Sequence, residues 1–328
     1  MTLTRTIDRL RERWDGRREA KRRLSDPITH MFTQDVTAFL IPYRNTEEGP
    51  IRARCEGSPD DVKVALRTLR SLAHRGYGGT DQTEVVRGAV REIVKHMMWR
   101  SYAAFEIGDR TSSDDDGGYR RVKGGDSTEQ HYYELKPMIY GSLLRTPFGV
   151  VEVPSQQRRS WDESHRSIRL HPRRRTWLID PPQGLGGRTG LRRVLKRLSR
   201  YSLAFPGWTA TSLMQEQHEV RFDVTGYSRL QSAYQASAAR SWGWPGRDTS
   251  LNHWTEYYLL DRTLRFQHAL ALLRQHVVAE INEVLTSRLV LDAHVSLEGL
   301  PSADEVVRIR ERMATGELSI NEAYDQVR

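Results

Sequence analysis

The chain has 328 residues, 38% of them apolar and 9% aromatic, enough to bury one large core or two medium ones and too apolar for a disordered polymer. It carries 51 Lys and Arg against 42 Asp and Glu, a formal charge of +9, which keeps acidic partners such as nucleic acid open without deciding the fold. Its single cysteine, Cys55, excludes an intrachain disulfide and a cysteine-rich metal centre, and is expected to be a buried thiol. No run approaches the roughly 18 to 20 apolar residues of a membrane span, and no signal peptide opens the chain, so a soluble, cytoplasmically made protein is expected.

The charge is uneven. Residues 156–200 hold thirteen Arg and Lys against three carboxylates, whereas the segment from His294 onward holds seven carboxylates against four arginines. Residues 1–25, with nine basic and four acidic groups, are expected to be a basic arm that orders on a partner, or a solvated helix.

In chain order, VTAFLIPY (36–43) reads as a strand ended by Pro42. Ser58 with Pro59, Asp60 and Asp61 opens a helix with Val62, Leu66, Leu69 and Leu72 on its apolar side and a stop at Gly76. A second helix follows, with Val86, Val90, Ile93, Val94 and Met97 on one face, and runs into a β-like YAAFEIG. Residues 108–131 form a polar loop; Asp114, Asp115 and Asp116 fit a solvated tip better than a metal cluster, because no supporting His or Glu is suitably spaced. YYELKPMIYG and PFGVVEVP read as strands, and SIRLHPRRRTWLIDPP as a proline-broken strand pair.

Residues 185–202, LGGRTGLRRVLKRLSRYS, pose the main question. Gly186, Gly187 and Gly190 match neither the dinucleotide nor the Walker glycine spacing. The helix behind them puts Leu191, Val194, Leu195 and Leu198 on one side and Arg188, Arg192, Arg193, Lys196, Arg197 and Arg200 on the other, an amphipathic helix with a basic stripe. Strand-like sequence before it argues against a helix-turn-helix reader; backbone contact with nucleic acid, or with an acidic protein surface, stays open. A helix is expected near 228–240, and the chain is helical from about Leu251 to Leu289. Ser302 with Glu305 and Ser319 with Glu322 read as capping boxes separated by the helix stop Gly316.

No catalytic set converges. The pairs Glu92/His96 and His276/Glu280 sit one helical turn apart without a metalloprotease pattern and read as surface partners, and no G-x-S-x-G elbow occurs. Trp242, Trp244, Trp254, Tyr257 and Tyr258 cluster before the long helix, where core or subunit packing outweighs base stacking. The chain is thus read as a non-enzyme with no cofactor and no metal.

The C-terminal third, WGWPGRDTS, the long helix ending in Glu280–Leu285 (E-x-N-x-x-L), and the phrase at Gly316, Leu318, Ser319, Asn321 and Glu322, resembles the end of tailed-phage portal (connector) proteins. SYAAFEIG, YYELKPMIYG and the proline–GG–helix passage resemble earlier portal segments in the same order. The resemblance spans roughly residues 35 to 328. It implies an α+β fold of portal type: a basic arm (1–25), a mixed wing domain (26–184) with the loop 108–131, a stem helix (185–202), a reduced clip (203–228), a second stem helix and tunnel turn (229–250), and a long helix with a C-terminal wing segment (251–328). Residues 203–241 are short for a full clip, and no crown helices follow, so a reduced member of the family is implied.

By this resemblance Gly186, Gly187 and Gly190 make the tight turn from wing to stem, the basic helix face docks, and Trp242, Trp244, Pro245 and Arg247 form a tunnel turn with Arg247 facing DNA phosphate. The implied role is a dodecameric ring at one capsid vertex of the virion, serving DNA packaging, genome ejection and head–tail joining. Its implied partners are further copies of the chain, the major capsid protein, the terminase large subunit, a head–tail adaptor and double-stranded DNA without sequence specificity. Two other classes fit the composition: a basic DNA-binding or nucleic-acid-processing protein, and a head–tail adaptor, which would be smaller and lack the long helix.

Overall fold

The computed structural model describes residues 27–42, 51–72, 81–110, 132–138, 141–146, 148–154, 169–204, 239–244 and 256–327. The fold is α+β. The elements in order are α1 (Pro27–Leu40), β1 (Arg52–Gly57), α2 (Pro59–Arg70), α3 (Gln82–Arg100), β2 (Ala103–Arg110), β3 (Tyr132–Pro137), β4 (Gly141–Thr146), β5 (Gly149–Pro154), β6 (Arg169–Pro172), β7 (Thr176–Ile179), α4 (Gly187–Ala204), α5 (Glu256–Glu283), β8 (Ala293–Glu298), α6 (Ala303–Ala314) and α7 (Ile320–Val327). None of the helices described is long and apolar enough to cross a membrane.

The chain divides into two compact units, each discontinuous in sequence. A sheet unit takes the described residues of Tyr43–Asp180 and His276–Gly299; a helical unit takes those of Glu19–Pro42, Pro181–Gln275 and Leu300–Arg328. Helix α5 contributes to both.

In the sheet unit, β2 is the middle strand of the antiparallel sheet β3-β2-β7, β5 the middle strand of β4-β5-β6, and β1 pairs with β8. Phe105 of β2 lies opposite both Pro137 and Trp177. Tyr102, Ala104, Met138 and Val150, with Leu143 and Leu178, form an apolar cluster shared by the two larger sheets. The hydroxyls of Thr68 on α2 and of Ser71, which caps its C-terminal end, accept the Tyr133 and Leu135 N–H groups of β3 at 3.4 and 2.8 Å, so the helix satisfies a strand's outer backbone. Val85, Val86, Ala89, Val90, Ile93, Val94, Met97 and Met98 of α3 are all buried, each such apolar side chain larger than alanine contributing about 1.5–3 kcal/mol.

In the helical unit, α1 packs against α4. Leu260 and Leu264 of α5 join Val306, Ile309 and Met313 of α6, with Leu318 and Ala323 beyond it. Arg274 is 4% exposed and donates to the carbonyls of Leu40 (3.0 Å) and Pro301 (2.9 Å), tying the end of α1 and the start of the C-terminal segment to α5. Burial lowers its pKa to about 10.

Two sequence expectations are corrected, and two strands, β1 and β4, were not anticipated. Residues 36–40 are helical, because Phe32, Val36 and Leu40, all 0% exposed, form an i, i+4, i+8 stripe that begins upstream of the β-like window. Strand β1 had no counterpart in the sequence reading; its alternation of buried Ala53 and Cys55 with outward arginines and glutamate is a short period-2 signal. His96, read as a surface residue, is buried at 6% exposure, stacked on Trp99 and edge-on to Phe105, because α3 is covered on more than one face. The basic arm, the loop beyond Arg110, the clip and the helix expected before Ala239 lie outside the described residues.

Candidate functional site

The turn before α4 closes on its own backbone. Leu185 and Gly187 N–H donate to the Pro182 carbonyl at 3.0 and 3.1 Å, and Gly190 N–H donates to the Gly186 carbonyl at 2.8 Å. Gly186 and Gly187 take φ of +82° and +58°, where a side chain costs roughly 1–2 kcal/mol. A Cβ at Gly190 would stand 2.6 Å from the Leu185 carbonyl oxygen. All three glycines are therefore demanded by the turn itself.

Helix α4 then buries Leu191, Val194, Leu195 and Leu198, at 0–3% exposure, and leaves Arg188, Arg192, Arg193, Lys196 and Arg197 exposed. At about 100° per residue the apolar four occupy one arc and the cations the rest. No described carboxylate pairs with Arg192, Arg193, Lys196 or Arg197. The apolar edge holds the helix to its unit, and the cations are left facing outward. Arg200 lies in α4, but its side chain is outside the described residues.

The aromatic turn is anchored from two helices. Trp242 and Trp244 are 0% exposed and meet Phe32 of α1 edge-on at centroid distances of 5.6 and 5.1 Å. The Trp244 indole N–H donates to Asp35 at 2.9 Å, and its carbonyl accepts from Arg262 of α5 at 2.5 Å. Gly243, with φ +67°, lies so close to α5 that a Cβ would be 2.4 Å from that of Arg265. The two indoles expected at a tunnel turn are thus interior groups that fix the turn, since fully buried rings present no surface to DNA. Pro245 and Arg247 lie outside the described residues, as does Trp254, while Tyr257 and Tyr258 are 45% and 37% exposed.

The two C-terminal phrases have structural reasons. Asn282 brackets Val295 of β8, accepting its N–H at 2.7 Å and donating to its carbonyl at 2.9 Å; Leu285 is buried. Glu280 accepts from the Trp177 indole at 3.5 Å, and His276 meets the Asp180 carbonyl at 2.7 Å. Gly316 ends α6 at φ +79°, with the Glu317 and Leu318 N–H groups both donating to the Arg312 carbonyl. Ser319 and Glu322 form the second capping box: Glu322 accepts the Ser319 N–H and hydroxyl at 2.8 and 2.7 Å, and its own N–H donates to the Ser319 hydroxyl. The Ser319 hydroxyl and then its N–H hold the Glu322 carboxyl below the usual carboxylate range. Asn321 is exposed on α7.

Several groups escaped sequence reasoning because their partners are remote in the chain. His171 of β6 stands between Glu106 of β2 (3.2 Å from Nδ1) and Glu152 of β5 (3.1 Å from Nε2), linking the two larger sheets. Arg145 forks onto Asp180 at 2.9 and 2.7 Å, a bidentate pair. Among the described residues no group of three or more His, Cys, Asp or Glu could hold a metal ion. Cys55 is buried, and desolvation pushes its thiol up to about 11. No protein-family model matches the chain, and no curated protein matches it.

Proposed function

We propose that this chain is the subunit of a phage portal ring, a channel at one capsid vertex through which double-stranded DNA is packaged and ejected and to which the tail is joined. The observation that carries the reading is the order of the elements. A tight glycine turn leads into a helix with an outward basic face, an anchored aromatic turn precedes the 28-residue α5, and β8, α6 and α7 follow with the Gly316 stop and the Ser319/Glu322 box. This is the order that the resemblance calls for.

The chemistry proposed is geometric and electrostatic. A ring is built from heterologous contacts, so each subunit needs two different complementary faces. The cations of α4 supply one, and the acidic C-terminal segment the other, with potential complementarity setting register and association rate. Ring walls hold DNA by weak phosphate contacts without reading sequence, and ATP hydrolysis belongs to a separate terminase. Capsid protein and a head–tail adaptor are the remaining partners of this reading.

Mass photometry and negative-stain electron microscopy of the purified chain test it. Rings of about a dozen copies are expected by the resemblance, and the R192E/R193E/R197E variant should weaken assembly or packaging. Unchanged assembly and packaging by that variant would refute the role given to α4. A second reading, a basic DNA-binding protein, is favoured by one observation: Arg192, Arg193, Lys196 and Arg197 are exposed and pair with no described carboxylate. It requires tight binding of short duplexes that falls steeply with salt, whereas a ring subunit should bind short duplexes poorly.

A further inference from the structure

The sheet β4-β5-β6 ends in a tip made of two adjacent turns. Phe148, in the turn between β4 and β5, is 79% exposed, and Leu170 on the neighbouring strand β6 is 58% exposed. The Phe148 carbonyl accepts the Arg173 N–H at 3.2 Å, and Gly149 pairs with Pro172. The aromatic residue is therefore fixed beside the run Arg173–Arg175, which forms a single 3-10 turn between β6 and β7. Gly149 makes that closeness compulsory: at φ +149° its hydrogen faces the His171 carbonyl, and a Cβ would be 2.1 Å from that oxygen. All three arginines are exposed. Successive residues of a 3-10 turn project about 120° apart, so their side chains leave the turn in three directions. No described carboxylate pairs with them.

We propose that Phe148, Arg173, Arg174 and Arg175 form a binding site for single-stranded nucleic acid. An exposed aromatic face stacks on an unpaired base whatever its identity, and adjacent guanidinium groups hold the flanking phosphates. A duplex buries its base faces in its own stack, so it offers the ring nothing and meets only the arginines. The same pairing of a ring with cations suits an anionic membrane surface, but among the described residues the turn-sized tip offers one ring and no amphipathic helix to lie in the interface. The site is independent of the ring assembly, because it uses neither α4 nor the C-terminal segment.

The test is fluorescence anisotropy on the full chain with labelled dT15 and a 15-base-pair duplex over a salt series, alongside sedimentation with phosphatidylcholine/phosphatidylserine vesicles. The wild type should bind dT15 more tightly than the duplex. Phe148→Ala should weaken dT15 binding roughly 5- to 150-fold, the effect of losing one stacked base, and leave duplex binding unchanged. Phe148→Trp should preserve it. R173E/R174E/R175E should reduce the salt slope for dT15 by about 2, at about 0.7 for each phosphate that is no longer neutralised. Equal dT15 affinity in wild type and Phe148→Ala, a duplex bound as tightly as dT15, or sedimentation with vesicles in place of dT15 binding would overturn the proposal.

Discussion

Replacing Gly243 with alanine tests whether the aromatic turn is pressed onto α5. The structure gives two costs. The left-handed φ of +67° penalises any side chain by roughly 1–2 kcal/mol. The new Cβ would also stand 2.4 Å from the Arg265 Cβ and 2.6 Å from the Phe266 nitrogen, both fixed by the helix, and relief of such overpacking costs about 1–3 kcal/mol. The sum is about 2–5 kcal/mol, and the movement would also stretch the Trp244–Asp35 and Arg262–Trp244 hydrogen bonds. Gly316→Ala is the internal control: its φ is +79°, but nothing lies within 4 Å of its Cβ position, so only the backbone penalty of roughly 1–2 kcal/mol applies. Urea unfolding followed by tryptophan fluorescence measures both. A loss at Gly243→Ala no larger than that at Gly316→Ala would refute the close approach of the turn to α5.

Arg274→Met should destabilise the helical unit by up to about 3 kcal/mol in thermal or urea unfolding: the buried Leu40 carbonyl and the half-buried Pro301 carbonyl lose their donors at roughly 1–3 kcal/mol each at most, partly offset by relief of the buried charge, about 3 kcal/mol for a pKa lowered from 12.5 to about 10. A clearly stabilised Met variant would show that the desolvation cost outweighs both hydrogen bonds. Cys55, with its pKa raised to about 11, should react with a disulfide reagent near pH 8 far more slowly in the folded chain than in denaturant; equal rates would contradict its burial. Ser302→Ala should cost about 0.5–2 kcal/mol at neutral pH. The Ser302 N–H and hydroxyl hold the Glu305 carboxyl below its ordinary value of 4.5. That contribution is present above the ordinary value and lost as pH falls through the lowered one, so the penalty of Ser302→Ala should shrink in acid; a pH-independent penalty would remove Glu305 from the cap. His268 acts in the same sense on the acid side: burial and then Arg310 lower its pKa from 6.5, disfavouring its charged form, so stability should fall as pH drops through that range, and His268→Gln should flatten the acid limb of a melting-temperature profile.

Local periodicity and backbone chemistry determined much of this protein from the sequence alone. The apolar stripe of α4, the length of α5, the Gly186–Gly187–Gly190 turn, the Gly316 stop and the capping boxes all follow from residues within a few positions of one another, which is the range over which side-chain spacing and φ preference act. Strands β2, β3, β5, β6 and β7 were legible for the same reason, whereas β1 and β4 were not read. What escaped depends on partners far away in the chain. The burial of Trp242 and Trp244 rests on Phe32, Asp35 and Arg262, and Arg274 finds its acceptors at Leu40 and Pro301; residues 36–40 are the local exception, misread because the β-like window left out the stripe that begins at Phe32. His171 between Glu106 and Glu152, and Phe148 beside Arg173, are juxtapositions made by strand pairing and sheet packing. Sequence spacing specifies which face of an element is apolar, but only the folded chain decides what that face meets, because burial and hydrogen-bond partnership are properties of the tertiary contact and not of the segment.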